Sequence, residues 1–334
     1  MKQKITLILI LGILLVSTLN LRSQQRASWM QGKWGIMTHY LADWRSQTDT
    51  IQMDITKWNK MIDHFDTEGL AKQIAATGAT YYILTIGQNS GYYLSPNAKY
   101  DKLTGIKPSK CSRRDLITDM AKALARYKIK LIAYLPSGAP GQDKEACSAL
   151  EWQNNKQPVP NKEFQLKWEQ VIREWSLRWG NQIAGWWFDG CYWPNTMYRE
   201  AEAPNFASFA AAARAGNPNN IVAFNAGVYP RVHSITQFED YTAGEINDPE
   251  NVVIKFNDNG TMDGCQFHIL TYLGQTWGKG NPRYTDEQVI NCSKNIIKAS
   301  GVITWDCPVL PSGLISEPFF KQLSSLGKEL NGNK

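Results

Sequence analysis

No stretch of this 334-residue chain carries five like charges in a row, and no basic stripe runs along it. The electrostatic footprint of a nucleic-acid binder or of an anionic membrane surface is therefore missing. A glycine-rich phosphate loop is also lacking, as is any His/Cys spacing of a metal site, so no cofactor and no catalytic metal are expected. There is neither a low-complexity linker nor a short repeat, which argues against an array or a string of modules. The six cysteines (Cys111, Cys147, Cys191, Cys265, Cys292 and Cys307) match no zinc pattern, and their spacing dictates no disulfide pairing.

Long apolar runs are scarce as well. The one near a terminus, residues 5–16, is too short for a comfortable membrane span. Lys2 and Lys4 precede it, and Ser17, Thr18 and Arg22-Ser23-Gln24 follow it, the order of a secretory signal. No Cys near its end offers a lipid anchor. The sequence thus predicts a signal peptide over 1–23, cleavage near Ser23, and export to the periplasm or the medium. Losing Lys2, Lys4 and Arg22 takes the formal charge from +6 to +3, too little to recruit nucleic acid or to hold the mature chain on a membrane. The oligomeric state is left open.

What remains is rich in aromatics. A hydrophobic fraction of 43% against 20% charged residues is enough for a sizeable core. Thirteen Trp and 14 Tyr serve either that core or the flat faces of sugar rings, and composition favours neither. Short runs bounded by Gly, Pro or Asn read as buried parallel strands at 34–40, 80–87, 130–136, 184–190, 221–227, 240–246, 267–273 and 302–307. Helical patterns fall between them: a segment capped by Asp66 and closed at Gly78, then 114–128, 161–180, 203–215, 285–300 and 316–330. Eight strands alternating with helices predict an α/β fold: a single-domain (β/α)8 barrel of the TIM type over 24–334.

In such a barrel the chemistry gathers at the C-terminal strand ends. Those ends carry His39 and Tyr40, Gln88 and Asn89, Tyr134, Asp189, Asn225, Glu245 and Asp306. Asp189 is the sharpest signal, because Trp186-Trp187-Phe188 drives a carboxylate to the tip of a strand where desolvation is costly. It is either a loop cap or half of the carboxyl pair that glycosidic cleavage needs. Glu245 is the favoured second group. Asp306 and His268 are weaker candidates, His268 reading more readily as a satisfied core residue. Glu239 and Asp240 fall at the wrong end of their strand.

These residues lie in pieces that resemble the α-L-fucosidase family of glycoside hydrolases over nearly the whole mature chain. Trp34-Gly35-Ile36-Met37-Thr38-His39-Tyr40 is similar to that family's first strand, 76–85 to its second, Arg114-Asp115-Leu116 with 130–135 to its third unit, Trp187-Phe188-Asp189-Gly190 to its nucleophile motif, and 300–327 to its last strand and helix. The resemblance implies Asp189 as nucleophile, Glu245 as acid/base, and His39, Tyr134 and Trp187 as sugar contacts, with a glycan as substrate. It also marks departures. Ile86-Gly87-Gln88-Asn89-Ser90-Gly91-Tyr92 stands where the family has Lys-His-His-Asp-Gly-Phe, Asn225 stands where it tends to carry an Arg, and Phe267-His268 replaces a Trp-Glu pair. Gln88, Asn89, Asn225 and His268 then become the replacement sugar contacts.

The expected activity is retaining hydrolysis of terminal α-L-fucose or a related sugar. A catalytically silent carbohydrate-binding barrel competes with it. So does a glycosidase of other specificity, or an endo-acting one with a cleft flanked by Trp44, Trp193 and Trp277.

Overall fold

Strands that read as continuous apolar runs need cover on both faces. A computed structural model describes residues 25–49, 52–153, 161–192, 197, 200–229, 231–249, 257 and 259–332; the expected signal segment with its expected cleavage point, and Trp193, lie outside them. In the described chain β1 (Trp34–Thr38), β2 (Tyr81–Thr85), β3 (Lys130–Pro136), β4 (Gly185–Asp189) and β5 (Ile221–Phe224) are followed by a small hairpin, β6 (Thr261–Met262) and β7 (Cys265–Gln266). Then come β8 (His268–Tyr272) and β9 (Val302–Asp306). Seven of the strands form one curled parallel sheet in the order β5-β4-β3-β2-β1-β9-β8, within a single domain.

The period-2 alternation of a strand decides what faces what. Met37, Ile83, Ile132, Tyr134, Trp187, Ala223 and Leu270 fill the concave side of the sheet. Their neighbours Ile36, Leu84, Leu131, Ala133, Trp186, Phe188 and Phe224 face the surrounding helices. Most of the tryptophan is structural. Trp175, Trp179, Trp186 and Phe188 run from helix to strand as a ladder of rings 5.4–5.9 Å apart. Trp58, Trp168 and Trp305 are also sealed in the interior.

The expected helices appear with their caps. Asp66 accepts from the Gly69 amide and Gly78 closes the helix in the left-handed region. The 114–128 pattern resolves to Leu116–Ala125, because Asp115 takes the cap position and accepts from Thr118. Lys162–Trp179, Phe206–Ala213, Asp286–Lys298 and Glu317–Asn331 match the remaining patterns. Four short helices (Ala42–Asp49, Ile55–Asp63, Ala98–Thr104, Lys144–Ala149) add cover at the strand ends, where the sequence pattern is too brief to announce them. Cys111, Cys147, Cys265 and Cys307 are free thiols. No helix among the described residues is long and apolar enough to cross a membrane. Nor do three or more His, Cys, Asp or Glu among them cluster as metal ligands would.

The expected closed barrel of eight strands is not what forms. The sheet stays open between β5 and β8, and 240–246 is not a strand but a segment with isolated parallel bridges at Tyr241–Gln266 and Glu245–Leu270. The physical reason lies on the free edge of β5. Its outward amides are satisfied by side chains: the Asp240 carboxylate accepts from Val222 N at 2.9 Å, and Glu239 accepts from Phe224 N at 2.9 Å. One backbone bond, Asp240 N to Val222 O at 2.9 Å, ties the segment there, and no ladder follows. Arg26 and Arg214 grip the same buried Asp240 from the other side, at 2.7 and 2.5 Å. Glu239 and Asp240 therefore staple the sheet edge and do not reach the concave mouth.

Candidate active site

Extending the alternation past the strand ends aims one set of polar residues into one hollow. His39 follows the inward Met37, Asp189 follows Trp187, and Asn225 follows Ala223. Glu245 likewise follows Ala243. The hollow at the C-terminal end of the sheet is lined by Met37, His39, Trp44, Gln88, Tyr134, Trp187, Asp189, Glu245, Leu270 and Trp277. A larger cavity of about 930 Å³ opens at the opposite end, between Trp29, Lys130 and Asn181, but it holds no carboxylate. The chemistry belongs to the smaller one.

Asp189 is held from three sides. Its Oδ1 accepts from the Gly190 amide at 2.7 Å and from Asn225 Nδ2 at 2.8 Å, and its Oδ2 accepts from the Tyr134 hydroxyl at 2.5 Å. Gly190 can turn its N–H back onto the preceding side chain because its φ is +71°, a backbone conformation other residues adopt at a cost. Tyr134 is fixed in turn: Gln88 Nε2 donates to its hydroxyl at 2.7 Å, and its ring stacks on Trp187 at 5.2 Å. Trp187 donates its Nε1 to Ala243 O at 3.1 Å, which joins the hollow's floor to the segment that carries Glu245.

That segment is placed by Gly244. A Cβ there would stand 1.9 Å from His268 O, so only glycine lets the chain close on β8 and exchange bonds with Leu270. Glu245 Oε2 then accepts from Asn225 Nδ2 at 2.5 Å. Asn225 is itself locked beside β4 by Asn225 N to Phe188 O and Cys191 N to Asn225 O, both 2.7 Å. One amide nitrogen thus holds both carboxylates. Their bonded oxygens lie 2.8 and 2.5 Å from it, so they are at most 5.3 Å apart. Burial pushes the Glu245 carboxyl up to about 7, and the Asp189 charge pushes the same way, against the Asn225 hydrogen bond and His39.

Asp306 has another task than the acid's. Its Oδ1 accepts from His39 Nδ1 at 2.8 Å and its Oδ2 from the Gly278 amide at 2.6 Å, all within a fully buried site. A carboxylate on Nδ1 fixes the tautomer and leaves Nε2 as the nitrogen offered to a ligand. His39 also stacks on Trp44 at 4.7 Å and meets Trp277 edge-on at 6.1 Å.

Three expected contacts do not line the hollow: Asn225 is 1% exposed and holds the two carboxylates and the Gly227 amide, and the other two lie elsewhere. His268 points to the right side of the sheet at the wrong height. It begins β8, where Nδ1 bonds Thr242 O at 2.9 Å and Nε2 bonds Thr304 Oγ1 at 2.7 Å. Complete burial lowers it to about 4, so it stays neutral in the core. Asn89 lies beyond the strand, where alternation no longer governs direction. Its side chain is exposed and its carbonyl accepts from Gln142.

Sequence reasoning missed Asp306 as the His39 anchor, although it shares inward parity with Thr304 and Val302. It missed Tyr192 altogether. That hydroxyl sits close enough for the charge of Asp189, then burial and Glu245, to push it well above the phenol range. Trp44 and Trp277 line the hollow itself and do not merely flank a cleft.

Two carboxyl groups sharing a donor, in an aromatic-walled mouth at the C-terminal end of a parallel sheet, are the arrangement that glycosidic cleavage needs. The chain belongs to the alpha-L-fucosidase family, whose model matches residues 16–334. No curated protein matches it. Among solved structures it is similar to an endo-fucoidan hydrolase of glycoside hydrolase family 107, at 19% identity and a TM-score of 0.72, covering 92% of this chain and 54% of that one. The chain therefore spans about half the length of that structure. It is also similar to alpha-L-fucosidase isoenzyme 1 from Paenibacillus thiaminolyticus, at 17% identity and a TM-score of 0.63, covering 93% of this chain and 77% of that one. An alpha-L-fucosidase GH29 from Bacteroides thetaiotaomicron gives 16% identity and a TM-score of 0.61, covering 90% and 72%.

Proposed function

We propose that the chain hydrolyses α-L-fucosides, or glycosides of a closely related sugar, with retention of configuration. The observation that carries this reading is the Asn225 nitrogen bonded to both carboxylates. A ceiling of 5.3 Å between the two oxygens bonded to it suits a nucleophile in direct reach of the anomeric carbon. Inverting enzymes hold their carboxyl groups about 6.5–9.5 Å apart to admit a water.

In the first step an Asp189 oxygen attacks the anomeric carbon while Glu245, protonated near neutral pH, gives its proton to the departing oxygen. The product is a glycosyl ester on Asp189 and a free alcohol. Esterification cancels the Asp189 charge, which was one of the forces raising Glu245. Glu245 then becomes the stronger acid, and its carboxylate deprotonates the water that cleaves the ester. Acid and base are the same group at two stages, switched by its neighbour's charge.

The walls support a 6-deoxy sugar. Met37 and Leu270 give an apolar surface for a methyl group. His39, Gln88, Tyr134 and Trp187 are left to meet the ring and its hydroxyls, with Asn225 behind the two carboxylates. No cofactor or metal is required by these steps. Proton NMR of the first-formed sugar, released from aryl glycosides of several sugars, tests the reading. Retained anomer from the α-L-fucoside is expected. An inverted first product would overturn the double displacement, and binding without turnover would indicate a catalytically silent carbohydrate-binding protein.

We also infer export. The charged, apolar and polar succession over residues 1–24 supports it. Amino-terminal sequencing of chain from the producing cells should start within a few residues of Ser23, and an intact Met1 would contradict it.

A further inference from the structure

Glu245 borders two depressions. One is the hollow it shares with Asp189. The other is smaller, does not include Asp189, and is lined by Phe224, Asn225, Gly227, Tyr229, Arg231 and His233. An acid that protonates a glycosidic oxygen has the transferred sugar on the nucleophile's side and the departing group on the other. The departing group thus falls over the second depression.

The surface there is built like a sugar platform. Tyr192, Val228 and Tyr229 are 41%, 47% and 43% exposed, three of the seven large hydrophobic residues that stand out from the described chain. Tyr192 covers Gly227, where an added Cβ would stand 3.1 Å from its ring, and Tyr229 meets His233 edge-on at 4.9 Å. Exposed aromatics beside a catalytic mouth offer the flat apolar faces that sugar rings stack on.

Arg231 gives the platform a sign. Arg26, Arg113, Arg114, Arg126, Arg178 and Arg214 each hold a carboxylate. Arg231, exposed, holds none among the described residues. The charge of Asp189 would repel a negative group brought to this rim, and a guanidinium offsets that repulsion while offering a planar fork to oxyanions. We propose that this depression is the leaving-group subsite, and that Arg231 selects leaving sugars bearing an anionic substituent, a sulfate ester or a carboxylate. The proposal rests on Glu245 being the acid.

The test compares wild type and Arg231→Gln on fucosyl disaccharides whose leaving sugar is neutral, sulfated or a uronic acid, with an aryl α-L-fucoside as reference. Wild type should prefer one of the charged leaving sugars over the neutral one by about tenfold in kcat/KM, chiefly through KM, as one charge-assisted contact allows. Which charged sugar gains more separates sulfate from carboxylate. Arg231→Gln should abolish the preference and Arg231→Lys should restore part of it. No preference in wild type, or one that survives in Arg231→Gln, overturns the subsite. Calorimetry with the free sulfated and uronic sugars separates this failure from that of the hydrolase reading. Arg231-dependent binding in a chain that hydrolyses nothing keeps the anion site and removes Glu245's role. Equal binding by both variants removes the anion site.

Discussion

Replacing Asp189 with Gly should lower kcat/KM for an aryl α-L-fucoside by about 10⁴-fold or more, a loss of about 5.5 kcal/mol of transition-state stabilisation. The size follows from what the side chain does. It supplies the bond-forming electron pair, and it is the acceptor towards which Tyr134, Gly190 and Asn225 point their donors. Removing it leaves a space at the anomeric face and three unpaired donors around it, so an added small anion such as azide should enter and restore part of the turnover. Azide attacking the substrate directly gives a glycosyl azide of inverted configuration. Asp189→Asn, which keeps the shape and one acceptor oxygen, separates folding from chemistry: its melting temperature should stay near that of wild type while activity falls as far. Activity surviving in the Gly variant would remove Asp189 from the mechanism.

Glu245→Gln should produce a different signature. In wild type kcat/KM should fall tenfold per pH unit above about 7, because the proton Glu245 donates is lost there. The variant cannot lose that proton, so this limb should vanish. A poor leaving group, such as a second sugar, should suffer by about 10²- to 10⁴-fold, and an activated aryl group far less in the first step. Azide should again restore turnover, now giving a glycosyl azide of retained configuration, since it intercepts the ester on Asp189. The two variants are thus told apart by the stereochemistry of one product.

Linkage gives an independent reading of the same group. The folded carboxyl sits above its unfolded value of 4.5, so its contribution to stability is fully present below that pH and is lost as pH rises through about 7. Glu245→Gln should therefore melt above wild type at pH 8. An alkaline limb unchanged by the substitution would assign the acid elsewhere.

The position of Asp189 could be read directly, because a carboxylate ending a strand of three aromatics has few structural excuses. Parity accounts for the rest of that success. His39 and Asn225 each stand two residues beyond an inward apolar residue and directly after a strand, so they keep its side, while Glu245 has the same spacing from Ala243 on a segment held by an isolated bridge to Leu270. The same rule misplaced His268, since it fixes the face and says nothing of height along the strand. It had no authority over Asn89, four residues past the end of β2. The sixth strand failed for another reason. Asp240-Tyr241-Thr242-Ala243-Gly244-Glu245 carries a strand's alternation, yet Asp240 and Glu239 spend their carboxylates on the β5 edge, and Gly244 turns the chain onto β8 before a ladder can grow.

By itself the sequence determined the α/β class, the family and the inward set of polar residues, because each of these depends on local periodicity and on short motifs. Only the tertiary structure decided that Asp306 serves His39, that Asn225 joins the two carboxylates, and that Arg231 and Glu245 line one depression. Those pairings span 267, 36 and 20 residues for the bonded cases. Hydrogen bonds act over about 3 Å, and no pattern along the chain encodes a distance that only the curl of the sheet creates.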